Sequence, residues 1–140
     1  MAYNILLVDD SASLRKVIRK VLSLSGFKMN ECFEASNGQE ALEVLKNHWV
    51  DLILSDIHMP VMDGFGLLKA LREEETWRDL PVILVTTESN PDRLQEALTL
   101  GAKGYIRKPF RPEEIRSLLL QHLGETDENA MANEDEGCDF

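Results

Sequence analysis

Three carboxylates, one hydroxyl and one ammonium stand at the ends of short apolar runs. Asp9 and Asp10 follow Ile5-Leu6-Leu7-Val8, and Asp56 follows Leu52-Ile53-Leu54 and one serine. Thr86 follows Val82-Ile83-Leu84-Val85, and Lys108 comes two residues after Tyr105-Ile106. Three acids gathered at one point repel strongly unless a cation offsets them. A hard divalent ion with oxygen ligands is the natural relief. Mg²⁺ fits because it uses few carboxylates and completes its octahedron with water or phosphate oxygens; Mn²⁺ suits the same donors. With the ion in place, Asp56 can attack a phosphoryl donor and form an acyl phosphate. The transferred group spreads charge over three oxygens, so positioning and electrostatics supply most of the catalysis. Lys108 and the Thr86 hydroxyl are the groups to receive those oxygens.

That chemistry requires the run ends to converge. The runs are too short for helices and read as strands buried on both faces. Residues 30–35 form a further, less apolar strand, expected near an edge. Between the strands lie amphipathic helices. In the first, Leu14, Val17, Ile18, Val21 and Leu22 fall inward, and Arg15, Lys16, Arg19 and Lys20 fall on the other side. Ser11 or Ser13 is its expected N-cap and Gly26 its C-terminal stop. Ala35 to Gly38 reads as a turn. Further helices are expected over Glu40–Lys46, over Gly64–Glu73, from Pro91 to Leu100, and from Pro112 with Ile115, Leu118, Leu119 and His122 inward. Pro60 and Asp63-Gly64 turn the chain after Asp56, and Trp77, in a polar loop over 72–81, is expected to cover a core edge. Five strand-helix units in strict alternation give an α/β fold. Right-handed crossovers and five strands favour a parallel sheet of order 2-1-3-4-5 with helices on both faces, the flavodoxin-like (βα)5 arrangement. Its switch point lies between strands 1 and 3, at the carboxyl ends where the acids stand.

The net charge is −10, and residues 124–140 hold seven acids and no Lys or Arg. Residues 1–123 are therefore only mildly acidic, without the basic stripe that nucleic-acid binding requires. The chain reads as one domain, 1–123, with an acidic tail, 124–140, whose composition favours flexibility. No run approaches the roughly 20 apolar residues of a membrane span, and no secretory leader is visible, so a cytoplasmic monomer is expected. Cys32 and Cys138 match no metal or redox spacing and read as free thiols.

The set Asp9-Asp10, Asp56, Thr86 and Lys108-Pro109 resembles the receiver domain of two-component response regulators. The pieces are L-V-D-D-S at 7–11, D-I-H-M-P-V-M-D-G at 56–64, V-T-T-E at 85–88 and G-A-K-G-Y-I-R-K-P-F at 101–110. The likeness covers residues 4–123 and looks like a stand-alone, CheY-like receiver. It implies Asp56 as phosphoacceptor, Asp10 and Asp56 as direct metal ligands, Asp9 acting through water, and the His58 backbone carbonyl as a further ligand. It implies Thr86 and Tyr105 as a coupled switch, Lys108 as the phosphate-pairing lysine, and a cis Lys108-Pro109 bond. The expected partners are a sensor histidine kinase, a downstream target reached through the fourth helix, fifth strand and fifth helix, and a phosphatase. Such a chain is no enzyme toward outside substrates; it catalyses only its own phosphorylation and dephosphorylation.

Several features depart from the resemblance or compete with it. His58 stands where chemotaxis relatives often carry Asn. Glu88 flanks the same path, so a His58–Glu88 pair that tunes dephosphorylation is expected. Thr87 is bulkier than the usual Gly or Ala. A relay role, passing phosphate to a histidine phosphotransfer protein, is the alternative to chemotaxis. A haloacid dehalogenase-like phosphatase needs a second Asp where His58 stands. A flavin module would meet repulsion from Asp9-Asp10, and a scaffold without chemistry would not need the full acid set. The tail could be inert, could dock a partner through Phe140, or could fold back on the Arg/Lys face of the first helix.

Overall fold

The computed structural model describes residues 3–26 and 29–123. The order is β1 (Tyr3–Val8), α1 (Ala12–Leu24), β2 (Met29–Ala35), α2 (Gly38–Asn47), β3 (Leu52–Ser55), α3 (Gly64–Glu73), β4 (Val82–Thr86), α4 (Pro91–Thr99), β5 (Gly104–Arg107) and α5 (Pro112–Leu123). All strand pairings are parallel, in the order β2-β1-β3-β4-β5, as the alternation of elements implies. β2 and β5 are the two edge strands, which is why their sequences are less apolar than those of β1, β3 and β4.

Two apolar layers sandwich the sheet. Ile5, Leu7, Leu52, Leu54, Ile83 and Val85 point to one face and pack with Ile18 and Leu22 of α1 and Ile115 and Leu119 of α5. Leu6, Val8, Ile53, Val82 and Leu84 point to the other, against α2, α3 and α4. Strand alternation forces this division, and burial on both faces explains the unbroken apolar runs. Trp77 packs partly buried against the second layer, as expected.

Local chemistry sets the helix ends. The Ser11 hydroxyl accepts from the Leu14 N–H and caps α1; Ser13 lies inside the helix. Gly26 follows α1 at φ +82, a left-handed conformation that costs glycine little. Asn37 accepts from the Glu40 N–H, so α2 begins at Gly38, two residues before the expected start. Asp63 caps α3 by accepting from the Gly66 N–H. Val17 departs from expectation. It keeps 52% of its surface exposed because it lies at the flank of α1, beyond the arc that Ile18 and Leu22 bury. Leu118 is only partly buried for the same kind of reason. Cys32 is free, and burial pushes its thiol up to about 11. Cys138 lies outside the described residues.

His122 sits in the last turn of α5 with its Nε2 buried and without a hydrogen-bond partner among the described residues. Burial first, and Lys103 second, lower its pKa from 6.5. Below that value the unfolded chain takes up a proton that the folded chain resists, so stability falls as pH drops through the window beneath 6.5. His122→Leu should flatten this loss: its urea midpoint should change less than wild type's between neutral and mildly acidic pH.

Candidate functional site

Strand register builds the site. Val8 pairs with Ser55, so the next residues, Asp9 and Asp56, emerge side by side. The Asp56 N–H donates to the Val8 carbonyl at 2.9 Å. Thr86 pairs with Arg107, and the Lys108 N–H donates to the Thr86 carbonyl at 2.9 Å. β4 lies between β3 and β5, so Thr86 and Lys108 come up beside Asp56.

Carboxylate oxygens of Asp9, Asp10 and Asp56 lie within 4.8 Å of one another. Asp9 is buried, Asp56 half-buried and Asp10 exposed, so the cluster opens toward solvent through Asp10. The Lys108 ammonium is 3.2 Å from Asp9 Oδ2 and 3.5 Å from Asp56 Oδ2. One positive charge offsets one of three negative charges, and a divalent cation would offset the other two. Oxygen-only donors with an open side fit Mg²⁺, which keeps several of its waters.

Other contacts fix the carboxylates. Asp9 Oδ1 accepts from the Ser11 N–H at 2.9 Å, and the Arg15 guanidinium donates to the Asp9 carbonyl. Asp56 Oδ1 accepts from the Ile57 N–H at 2.7 Å, which leaves Oδ2 on the Lys108 side. Thr86 is fully buried, and its hydroxyl oxygen accepts from the Glu88 N–H at 3.1 Å, so its proton remains free to donate. Tyr105 is 39% exposed and pairs in register with Leu84. The Lys108-Pro109 peptide is cis.

His58 points outward, with Nε2 2.8 Å from Glu88 Oε1. The Asn90 N–H, and then His58, hold the Glu88 carboxyl below its usual range. The two side chains thus bridge the loops after β3 and β4.

Several supporting residues are not evident from the site motifs. Arg15 supports the Asp9 backbone, and Val61 sits at φ +67 while the Met62 N–H donates to the Pro60 carbonyl at 2.7 Å. Gly64 packs so closely that a Cβ there would lie 2.7 Å from the Asp56 carbonyl oxygen and 2.9 Å from Ile57 Cα. The Asp63-Gly64 turn signal marked the position but not this contact.

The response regulator receiver domain model matches residues 5–120. The chain belongs to this family. It is 38% identical over 122 residues to a chemotaxis protein CheY homolog of Campylobacter jejuni, covering 86% of this chain and 92% of that one. Chemotaxis protein CheY4 of Vibrio cholerae matches at TM-score 0.77 and 36% identity, over 86% of this chain and 98% of that one. The receiver domain of a Pseudomonas aeruginosa sensor histidine kinase matches at TM-score 0.77 and 27% identity, over 89% of this chain and all of that one; its structure holds a magnesium ion in the active-site cleft.

Because Gly64 touches backbone rather than a flexible side chain, Gly64→Ala should displace the Asp56–Ile57 peptide. The expected cost is about 1–3 kcal/mol of stability, measured by urea unfolding.

Proposed function

We propose that this receiver is switched by phosphorylation of Asp56, with a divalent cation held by Asp10, Asp56 and the His58 carbonyl and, through water, by Asp9. The gathering of three carboxylates, two of them paired with the Lys108 ammonium, carries this reading. When bound, the ion screens the carboxylates from the incoming phosphoryl oxygens. Asp56 Oδ2 attacks phosphorus, the O–P bond forms, and the bond from phosphorus to the donor's nitrogen or oxygen breaks. The leaving group departs with that bond's electron pair and takes its proton from the donor or solvent. Lys108 then pairs with a phosphoryl oxygen, and the Thr86 hydroxyl donates to another.

The signal follows from Thr86. As its hydroxyl moves toward the phosphoryl group, it vacates space that Tyr105 can enter from its exposed position. The face of α4, β5 and α5 then changes its affinity for a target, to the extent that phosphate favours one conformation over the other. A histidine kinase supplies the phosphoryl group, and the CheY-type relatives favour a chemotaxis target. Outside its own phosphorylation and dephosphorylation the domain performs no catalysis.

Acetyl phosphate with Mg²⁺ should add the mass of one PO₃ group to the intact protein, and a chelator or Asp56→Asn should abolish the addition. A wild-type protein that never gains this mass would defeat the reading. His58 and Glu88 lie on the path of hydrolytic water, so His58→Ala and Glu88→Gln should shift the phosphate lifetime in the same direction. The double variant should go no further than the larger single effect if the two act as a pair.

A further inference from the structure

One apolar stripe on α1 is left uncovered. Val17 is 52% and Leu24 67% exposed, and Leu14 and Val21 are only partly buried. At its upper end the stripe opens into a groove of about 330 Å³, where Leu14, Val17 and Val21 face Thr87, Lys108, Pro109 and Phe110. Lys16 and Lys20 flank the stripe, and neither has a carboxylate partner among the described residues. Arg15 and Arg19 are different. Both are committed to Glu34, with Arg15 Nε at 2.8 Å from it, and although burial opposes the Glu34 charge the two arginines outweigh it and lower its pKa.

We infer that residues 124–140 of this chain cover that stripe, with Phe140 seated in the groove and the tail's acids against Lys16 and Lys20. Three observations select this occupant. The segment carries seven acids, no base and a terminal aromatic, complementary to an apolar stripe edged by two unpaired lysines. It starts in the right place: Leu123 lies at the amino end of the sheet, where its carbonyl accepts from the Tyr3 hydroxyl, and Arg116 of α5 donates to the Ser25 carbonyl beside the C-terminus of α1. From that root the stripe runs upward from Leu24 to Leu14.

The reach also suffices. Seventeen residues span at most about 55–60 Å when extended. As a flexible coil their ends lie about 20–25 Å apart. α1, with 13 residues, is only about 20 Å long, so its length can be covered without stretching the tail. Thr87 and Lys108 line the far end of the groove, so a seated Phe140 lies beside the acidic pocket. The docking itself does not depend on the phosphoacceptor role of Asp56.

Cys138, two residues from Phe140, provides the test. A nitroxide is placed on Cys138 in the full chain carrying Cys32→Ser, and NMR relaxation is read at backbone and methyl groups. Broadening is expected at Leu14, Val17, Val21, Leu24 and Phe110. It should fall at least severalfold at high salt, in Lys16→Gln/Lys20→Gln, and in Phe140→Ala. Broadening spread evenly, centred on another face, or unchanged in these variants overturns the inference. A mixture of unlabelled isotopic protein and labelled non-isotopic protein should show none; broadening there means that a second copy supplies the cover, and also overturns it. None of these readouts uses phosphorylation, so a failed phosphoacceptor test leaves them intact.

Discussion

The Lys108 ammonium lets three acids share one pocket. It sits at the end of the last strand, yet its nearest carboxylates belong to the first and third strands. Without it, the half-buried Asp56 and buried Asp9 would face each other and Asp10 with no ion-pair partner among the described residues. A partly desolvated ion pair adds little to stability, because the desolvation penalty consumes most of the attraction. What it supplies is arrangement: one residual deficit of two charges, open to solvent on the Asp10 side, matched to a divalent ion.

That arrangement depends on the sheet more than on any loop. The pairing of Val8 with Ser55 and of Thr86 with Arg107 sets the heights at which Asp9, Asp56 and Lys108 emerge. A slip of one residue in either pairing would turn a strand's apolar side chains to the wrong layer, so the two cores and the site enforce the same register. Arg15, the Ser11 N–H and the Ile57 N–H then fix individual oxygens.

The strand-ending acids were legible because their chemistry and their position coincide. A buried strand must be apolar throughout, so a polar or charged residue marks where it leaves the core, as at Asp9, Asp56, Thr86 and Lys108, and five strands in alternation with amphipathic helices imply the sheet order. Two kinds of feature were hidden. Gly64 looks like any turn glycine, since sequence does not reveal that its missing Cβ makes room for the Asp56 carbonyl. Val17 has the right spacing for the core but lies at the margin of the buried arc, where periodicity does not distinguish an inner flank from an open one. Arg15 and Arg19 likewise joined Lys16 and Lys20 as one basic face, until Glu34 from the neighbouring strand divided the four.

Val61 places a β-branched side chain, 82% exposed, in a conformation that glycine would adopt at little cost. Such a residue holds on the order of 1–3 kcal/mol in its backbone. Nothing buries the side chain in compensation, so the restraint comes from the surrounding turn, in which Met62 bonds back to Pro60. The segment linking the Asp56 strand to α3 is therefore held by its own turn away from the backbone conformation that valine favours, so its shape is fixed by local hydrogen bonding and not by burial.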